Sequence, residues 1–306
     1  MDNGNVNDLL YFLDNTHALI FADDNTLSAH AHTTREVVEC LEDESDIAID
    51  WFTINHMIAN AGKFKAIIVK KDGTDTTGTT LRINNKNIDS SSDVLLLGLT
   101  IDNKLNFSKH ISGLCRKAAS NINALKRFKT NISAYDRKLV GNAYVLSIFN
   151  YCPMVWHFCG KGDMHKIEKI HERAIRFMTD NYTSDYAELL LSENESTHYL
   201  KRVRIIAQEV FKSLNGLNPE YTQQILRDRP SRFPTRTPLD LYIPKVKQVK
   251  FGYRSYTYEA PTIWNSLPID IRNSENFSIF KKLLKNWSGP SCRCNFCKYN
   301  ENDTEV

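Results

Sequence analysis

The stretch HALIFADDNTLSAH, residues 17–30, decides how this 306-residue chain is read. Ala18-Leu19-Ile20-Phe21-Ala22 is an apolar run, Asp23 and Asp24 interrupt it, and a second short apolar run starts at Leu27. Apolar run, polar pair, apolar run predicts a β-hairpin with both carboxylates near its tip. Adjacent like charges repel and Asp disfavours strands, so something must compensate. Two answers stand at this point. Solvent is one, because Asp-Asn is ordinary turn chemistry. A divalent cation is the other, because it takes carboxylate oxygens as ligands.

Working outward, Thr33-Thr34-Arg35-Glu36 has capping-box form. Val37, Val38, Leu41, Ile47, Ala48, Trp51 and Phe52 then recur at helical spacing, which predicts an amphipathic helix of about 20 residues with acids on its wet face. Ala66-Ile67-Ile68-Val69 reads as a buried strand, LRINNKNI as a hairpin around Asn84 and Asn85, and VLLLGLTID, residues 94–102, as another strand pair. Gly98 in that pair allows a bulge or a close backbone approach. From Phe107 the rhythm turns helical. Ile111, Leu114, Ala118, Ile122 and Leu125 share one face, a second helix opens at Ser133, a third at Asp163, and a fourth covers residues 198–214. A Pro-rich basic connector, RDRPSRFPTRTPLDLYIPKVKQVK, leads to a last unit holding FGYRSYTYEAPTIWNSLP and the helix NFSIFKKLLKNW. The expected class is α+β, divided at 1–105, 106–226 and 227–306.

The net charge of +3 is too weak to diagnose a nucleic-acid binder by itself. Its distribution says more. Residues 1–62 hold a single basic residue, Arg35, so most of the 39 Lys and Arg follow, which suggests two functional zones. No run approaches the roughly 18 apolar residues that span a membrane. MDNGNVNDLL lacks the basic start and apolar core of a signal peptide. Seven cysteines, an odd number and mostly scattered, read as reduced thiols of an intracellular protein, cytoplasmic or nuclear.

The order of motifs is more specific than any one of them. FADDNTLSA resembles the aromatic-x-Asp-Asp hairpin of reverse transcriptases. AIDWFTINHMIANAGKF resembles the helix and Asn-x-x-Lys element that follow it in non-LTR retrotransposon enzymes, and LLGLTIDNKLNF the primer-grip hairpin. SIFNYCPMVW, IEKIHERAIRFM and FGYRSYTYEAPTIWNSLP look like the thumb and C-terminal region of jockey-like elements. The resemblance implies a partial polymerase palm, an antiparallel sheet with a helix, then a mainly helical thumb and a small C-terminal α/β unit. It also implies that fingers and the palm strand bearing the third metal-binding carboxylate are missing, as in a truncated or decayed copy. The implied activity is RNA-directed DNA polymerisation on an RNA template with a DNA primer, with Mg²⁺ as cofactor and no small-molecule cofactor or membrane. The chain alone is expected to be inactive, and a non-catalytic nucleic-acid-binding remnant is the alternative.

By that resemblance Asp23 is the principal metal ligand and catalytic carboxylate, and Asp24 the supporting one. Two-metal phosphoryl transfer needs oxygen ligands for two ions about 4 Å apart. Lys63, in Asn60-x-x-Lys63, matches a lysine thought to act as general acid toward pyrophosphate, with Ala61 where proline is usual; read from the residues, it is a surface lysine before a strand. Arg116, Lys117, Lys126, Arg127, Lys129, Arg173 and Arg176 are candidate nucleic-acid contacts, since a backbone-tracking surface needs repeated positive charge. A solvated helix face explains them equally well. Cys292, Cys294 and Cys297 form C-x-C-x-x-C with no fourth ligand following, so no tight structural zinc is expected.

Overall fold

The computed structural model describes residues 3–227, 240–247, 252–290 and 292. The chain is α+β and forms two compact units, Met1–Leu105 and Asn106–Val306.

In the first unit β1 (His17–Phe21) pairs antiparallel with β2 (Asp24–Ser28). Phe21 lies opposite Asp24, which leaves Ala22 and Asp23 as a two-residue loop. Burial alternates along β1: Ala18 and Ile20 turn inward while His17, Leu19 and Phe21 face solvent, the period of a half-buried strand. Helix α1 (Thr34–Ile54) starts at the expected capping box. Thr33 Oγ1 accepts from Glu36 N at 3.2 Å, and the Glu36 carboxylate accepts from Thr33 N at 2.9 Å. Its inner face lays Ala48 and Trp51 against Leu9 of the 3-10 segment Asn3–Phe12 and Leu13 just after it, with Ile20 and Leu27 packed alongside. Glu44 on the same helix is 2% exposed, yet its carboxylate is satisfied by Asn15 N, Asn15 Nδ2 and Thr16 Oγ1 at 3.0–3.1 Å.

Strands β3 (Thr80–Ile83) and β4 (Lys86–Asp89) form the hairpin expected around Asn84 and Asn85, whose φ of 51° and 56° suit residues tolerant of the left-handed region. Strands β5 (Asp93–Leu96) and β6 (Leu99–Asp102) make the next hairpin. There Gly98, at φ 82°, completes a two-residue turn with Leu97 instead of forming a bulge. The three hairpins stay separate two-stranded sheets. Part of the reason is on α1: its carboxylates take backbone donors at the β3 hairpin, Glu42 from Arg82 N at 2.6 Å and Asp46 from Asn84 N at 3.2 Å. The strand expected at Ala66–Val69 does not form. The segment makes one isolated bridge, Ala66 to Ser90, and the Ile68 carbonyl is capped by the Thr76 hydroxyl at 2.5 Å instead of a neighbouring strand.

The second unit is helical: α2 (Ser108–Lys126), α3 (Ala134–Tyr144), α4 (Pro153–Trp156), α5 (Lys161–Thr179), α6 (Tyr186–Ser192), α7 (His198–Leu214), α8 (Glu220–Arg227), α9 (Tyr256–Asn265), α10 (Ile269–Arg272) and α11 (Phe277–Lys285). Helix α5 begins two residues before Asp163, behind Gly160. Buried Ile111, Ala118 and Ile122 of α2 and Ile167 and Ala174 of α5 belong to two helices that pack together. A second core joins Val203, Ile206, Val210 and Phe211 of α7 to Ile263 and Trp264 of α9 and Phe280 and Leu284 of α11. Phe211 and Phe280 stack at 4.4 Å. The described residues beyond 239 therefore share the α7 core and do not stand apart as a third body. No helix among the described residues is long and apolar enough to cross a membrane.

Candidate acidic hairpin and nucleic-acid interface

Asp23 sits in the β1–β2 loop and Asp24 opens β2, so both lie at the hairpin tip and both are exposed. Neither carboxylate has a hydrogen-bond or ion-pair partner among the described residues. Ala22, before them, holds φ at 54°. For an L-residue with a Cβ that region costs about 1–2 kcal/mol, which the hairpin closure must offset. The aspartates thus do nothing for the fold that a smaller polar residue would not do.

Two consecutive solvated carboxylates do not by themselves make a two-ion Mg²⁺ site. Such a site holds both ions in fixed geometry between oxygen ligands, and no group of three His, Cys, Asp or Glu side chains among the described residues is placed to hold a metal.

Lys63 ends the 3-10 turn Ala61–Lys63 and is exposed. Asn60 caps that turn, its Oδ1 accepting from Gly62 N at 3.0 Å, and Lys63 N donates to Asn60 O at 2.9 Å. The Asn-x-x-Lys spacing is accounted for as a capped turn. No hydrogen bond or ion pair links Lys63 to Asp23 or Asp24 among the described residues.

Charge is divided between the two units. Residues 1–105 hold 8 Lys and Arg against 17 Asp and Glu, net −9, and residues 106–306 hold 31 against 19, net +12. Within the second unit the candidate cations differ in availability. Arg116, Lys117 and Arg127 are exposed on α2 and its C-cap and have no ion-pair partner among the described residues. Arg116 and Arg127 are eleven residues apart, three turns, so they share one side of the helix about 16 Å apart along its axis. Lys126 and Lys129 stand 5.6 and 5.0 Å from the Tyr182 ring, and Lys129 also pairs with Asp180. Arg173 is half-buried. Arg176 is committed internally. Its Nε and Nη2 donate to Glu172 Oε1 at 3.1 and 2.7 Å, and its Nη1 donates to Ser184 O at 2.8 Å. Phe128, Tyr135, Tyr144 and Tyr182 are all exposed in the same unit. Tyr182, flanked by two ammonium groups, is a contact the sequence reading missed; nothing in its local spacing marks it.

Of the C-terminal cysteines, Cys292 is buried in the core shared by α7, α9 and α11. Cys294 and Cys297 lie outside the described residues.

No protein-family model, no curated protein and no solved structure matches this chain.

Proposed function

We propose that the chain is part of an RNA-directed DNA polymerase of non-LTR retrotransposon descent, with the first unit derived from the second half of a palm and the second from a thumb and C-terminal region. As it stands it binds nucleic acid and does not extend a primer. The order of motifs along the sequence supports the descent. The exposed cationic side of α2, with Arg116, Lys117 and Arg127 unpaired among the described residues, is the observation that carries the binding. Phosphates neutralised by such a row release counterions, which is the main source of sequence-independent affinity. Exposed Phe128, Tyr135 and Tyr144 offer faces on which unpaired bases can stack.

Inactivity follows from the site chemistry. Nucleotidyl transfer requires reacting groups held near their attack geometry, and misplacement of about 1 Å costs on the order of 100-fold in rate. Two carboxylates on an exposed tip provide no such constraint.

Fluorescence anisotropy with single-stranded and duplex oligonucleotides of several sequences tests the binding. Affinity should fall steeply with salt and differ little between sequences. Arg116→Glu, Lys117→Glu and Arg127→Glu together should weaken every ligand alike and reduce the salt slope by about two to three, from roughly 0.7–0.9 per phosphate contact. An unchanged slope would refute the assignment of α2. Primer extension on an RNA template with Mg²⁺ or Mn²⁺ should give no product. Product that disappears in Asp23→Ala would make the chain a polymerase in its own right.

A further inference from the structure

The least expected feature of the second unit is a charged cluster at its centre. Arg202 of α7 is fully buried. Its guanidinium carbon lies 5.3 Å from the Trp156 ring and 6.0 Å from the Tyr199 ring. It has no carboxylate within ion-pair reach among the described residues. Instead Nε donates to His157 Nδ1 at 3.3 Å, Nη1 donates to His198 Nδ1 at 2.8 Å, and Nη2 has no partner. A guanidinium has donors only, so both imidazoles must present an unprotonated Nδ1 and carry their proton on Nε2.

A third histidine repeats the arrangement. His171 of α5 is fully buried, with Nδ1 2.6 Å from the Tyr186 hydroxyl and Nε2 3.4 Å from Lys201 Nζ. The Tyr186 hydroxyl donates to Glu168 Oε2 at 2.9 Å, so His171 donates through Nδ1 and turns its lone pair toward the Lys201 ammonium. Glu168, also fully buried, accepts from His198 N at 3.1 Å and Tyr199 N at 2.6 Å, and so caps the start of α7 from α5.

We propose that the junction of α4, α5, α6 and α7 is an acid-sensitive latch, in which three buried neutral imidazoles each offer their only free lone pair to a fixed cation, so that mild acid opens this part of the unit. A second proton on any of the three has nowhere to go. It would break a hydrogen bond and set an imidazolium about 3 Å from Arg202 or Lys201, in a medium that screens poorly.

Burial, then the nearby Arg202 or Lys201 charge, holds all three well below the ordinary imidazole value. A group whose folded pKa is depressed binds its proton only on opening. Each histidine therefore raises the opening constant about tenfold per pH unit below roughly 6.5, and the three together about a thousandfold. Glu168 acts in the opposite direction. Burial raises its carboxyl although Arg202 and its donors oppose this, so near its own titration it offsets about one histidine. Further charged and titratable groups face the cluster. Cys115 and Cys159 are thiols pushed up to about 11, chiefly by burial. Asp163 is paired with Lys166 at 2.7 Å, and Lys201 with Glu195 at 2.6 Å. His110 of α2, tilted against Trp156 at 6.4 Å, is lowered by burial and adds to the same trend.

Denaturant unfolding of the full chain from pH 7.5 to 5.5 tests the latch. The unfolding constant should climb by two to three decades per pH unit below pH 6. His157→Asn and His198→Asn together place an amide oxygen near the Nδ1 positions as a non-titrating acceptor for Arg202, and should remove about two of those decades. Should the variant not fold, histidine C2-proton exchange read by mass spectrometry on the wild-type chain decides the matter. His157, His171 and His198 should stay neutral for as long as the chain remains folded. A flat pH dependence, or titration of the three near 6.5 in the folded chain, overturns the proposal.

Discussion

Gly141 in α3 gives a prediction in which two known effects oppose each other. The residue is buried at the contact between α3 and α5. A Cβ placed there would meet Met178 Cγ at 2.5 Å and Sδ at 2.6 Å. In an exposed helix Gly→Ala gains about 1 kcal/mol from propensity. Here the added methyl must displace the root of a methionine and not its flexible end. Met178 is only 5% exposed, so the displaced chain has no solvent to move into. Overpacking of this kind costs about 1–3 kcal/mol. The steric effect should win, leaving Gly141→Ala destabilised by up to about 2 kcal/mol, or a Tm lower by up to about 8 °C at 2–4 °C per kcal/mol for a unit of this size. Met178→Ala alone should cost about 2–5 kcal/mol. In the double variant the new methyl enters the space that Met178 vacates, so the two costs should fall short of additivity by at least about 1 kcal/mol. Urea unfolding of the four proteins closes the cycle. A stabilised Gly141→Ala, or additive costs, would mean that α3 and Met178 are not in contact and would refute the reasoning.

Three further outcomes are expected. Ala22→Gly should stabilise the first unit by about 0.5–1 kcal/mol in urea titrations, because glycine adopts a φ of 54° without the Cβ conflict. Glu44→Gln should destabilise the same unit by about 1–3 kcal/mol, since an amide offers one acceptor oxygen where Asn15 and Thr16 present three donors to a buried carboxylate. Treatment with a strong zinc chelator should leave the melting temperature of the second unit unchanged, because the described part of the cysteine cluster, Cys292, is packed in an apolar core; a drop of several degrees would show a structural ion.

Signals confined to a few neighbouring residues were legible in the sequence, and those that depend on distant partners were not. The capping box at Thr33 and Glu36 and the Asn84-Asn85 turn need only short-range chemistry, and both formed where expected. The apolar quartet Ala66–Val69 read as a strand because its composition suits one, but a strand also needs a neighbour, and the nearby donors and acceptors found other partners. The acidic hairpin sits between these cases. Its turn is local and formed as read, whereas whether a third acid joins Asp23 and Asp24 is a tertiary question that no spacing answers.

The buried cluster is marked in the sequence by helical phase. Along α7 the inward positions are Tyr199, Val203, Ile206 and Val210, and Arg202 falls on that stripe, one turn from both His198 and Ile206. Along α5 the stripe runs through Ile167, Ile170, Ala174 and Ile175, and Glu168 and His171 fall on it. A count of basic residues treats Arg202 as one more cation of a positively charged half. Its helical phase says otherwise, because a charge on the apolar face of an amphipathic helix must be partnered inside the fold. Two such faces, one carrying an Arg and the other a Glu, with histidines on both, point to a buried polar junction between α5 and α7 before any coordinate is known. What the phase cannot supply is the pairing, and the pairing matters most here. Had Glu168 met Arg202 directly, the result would be an ion pair stable at neutral pH and little affected above pH 5. With Glu168 capping α7 and the histidines set against Arg202 and Lys201, stability depends on imidazoles staying neutral, which places the sensitive range near pH 6.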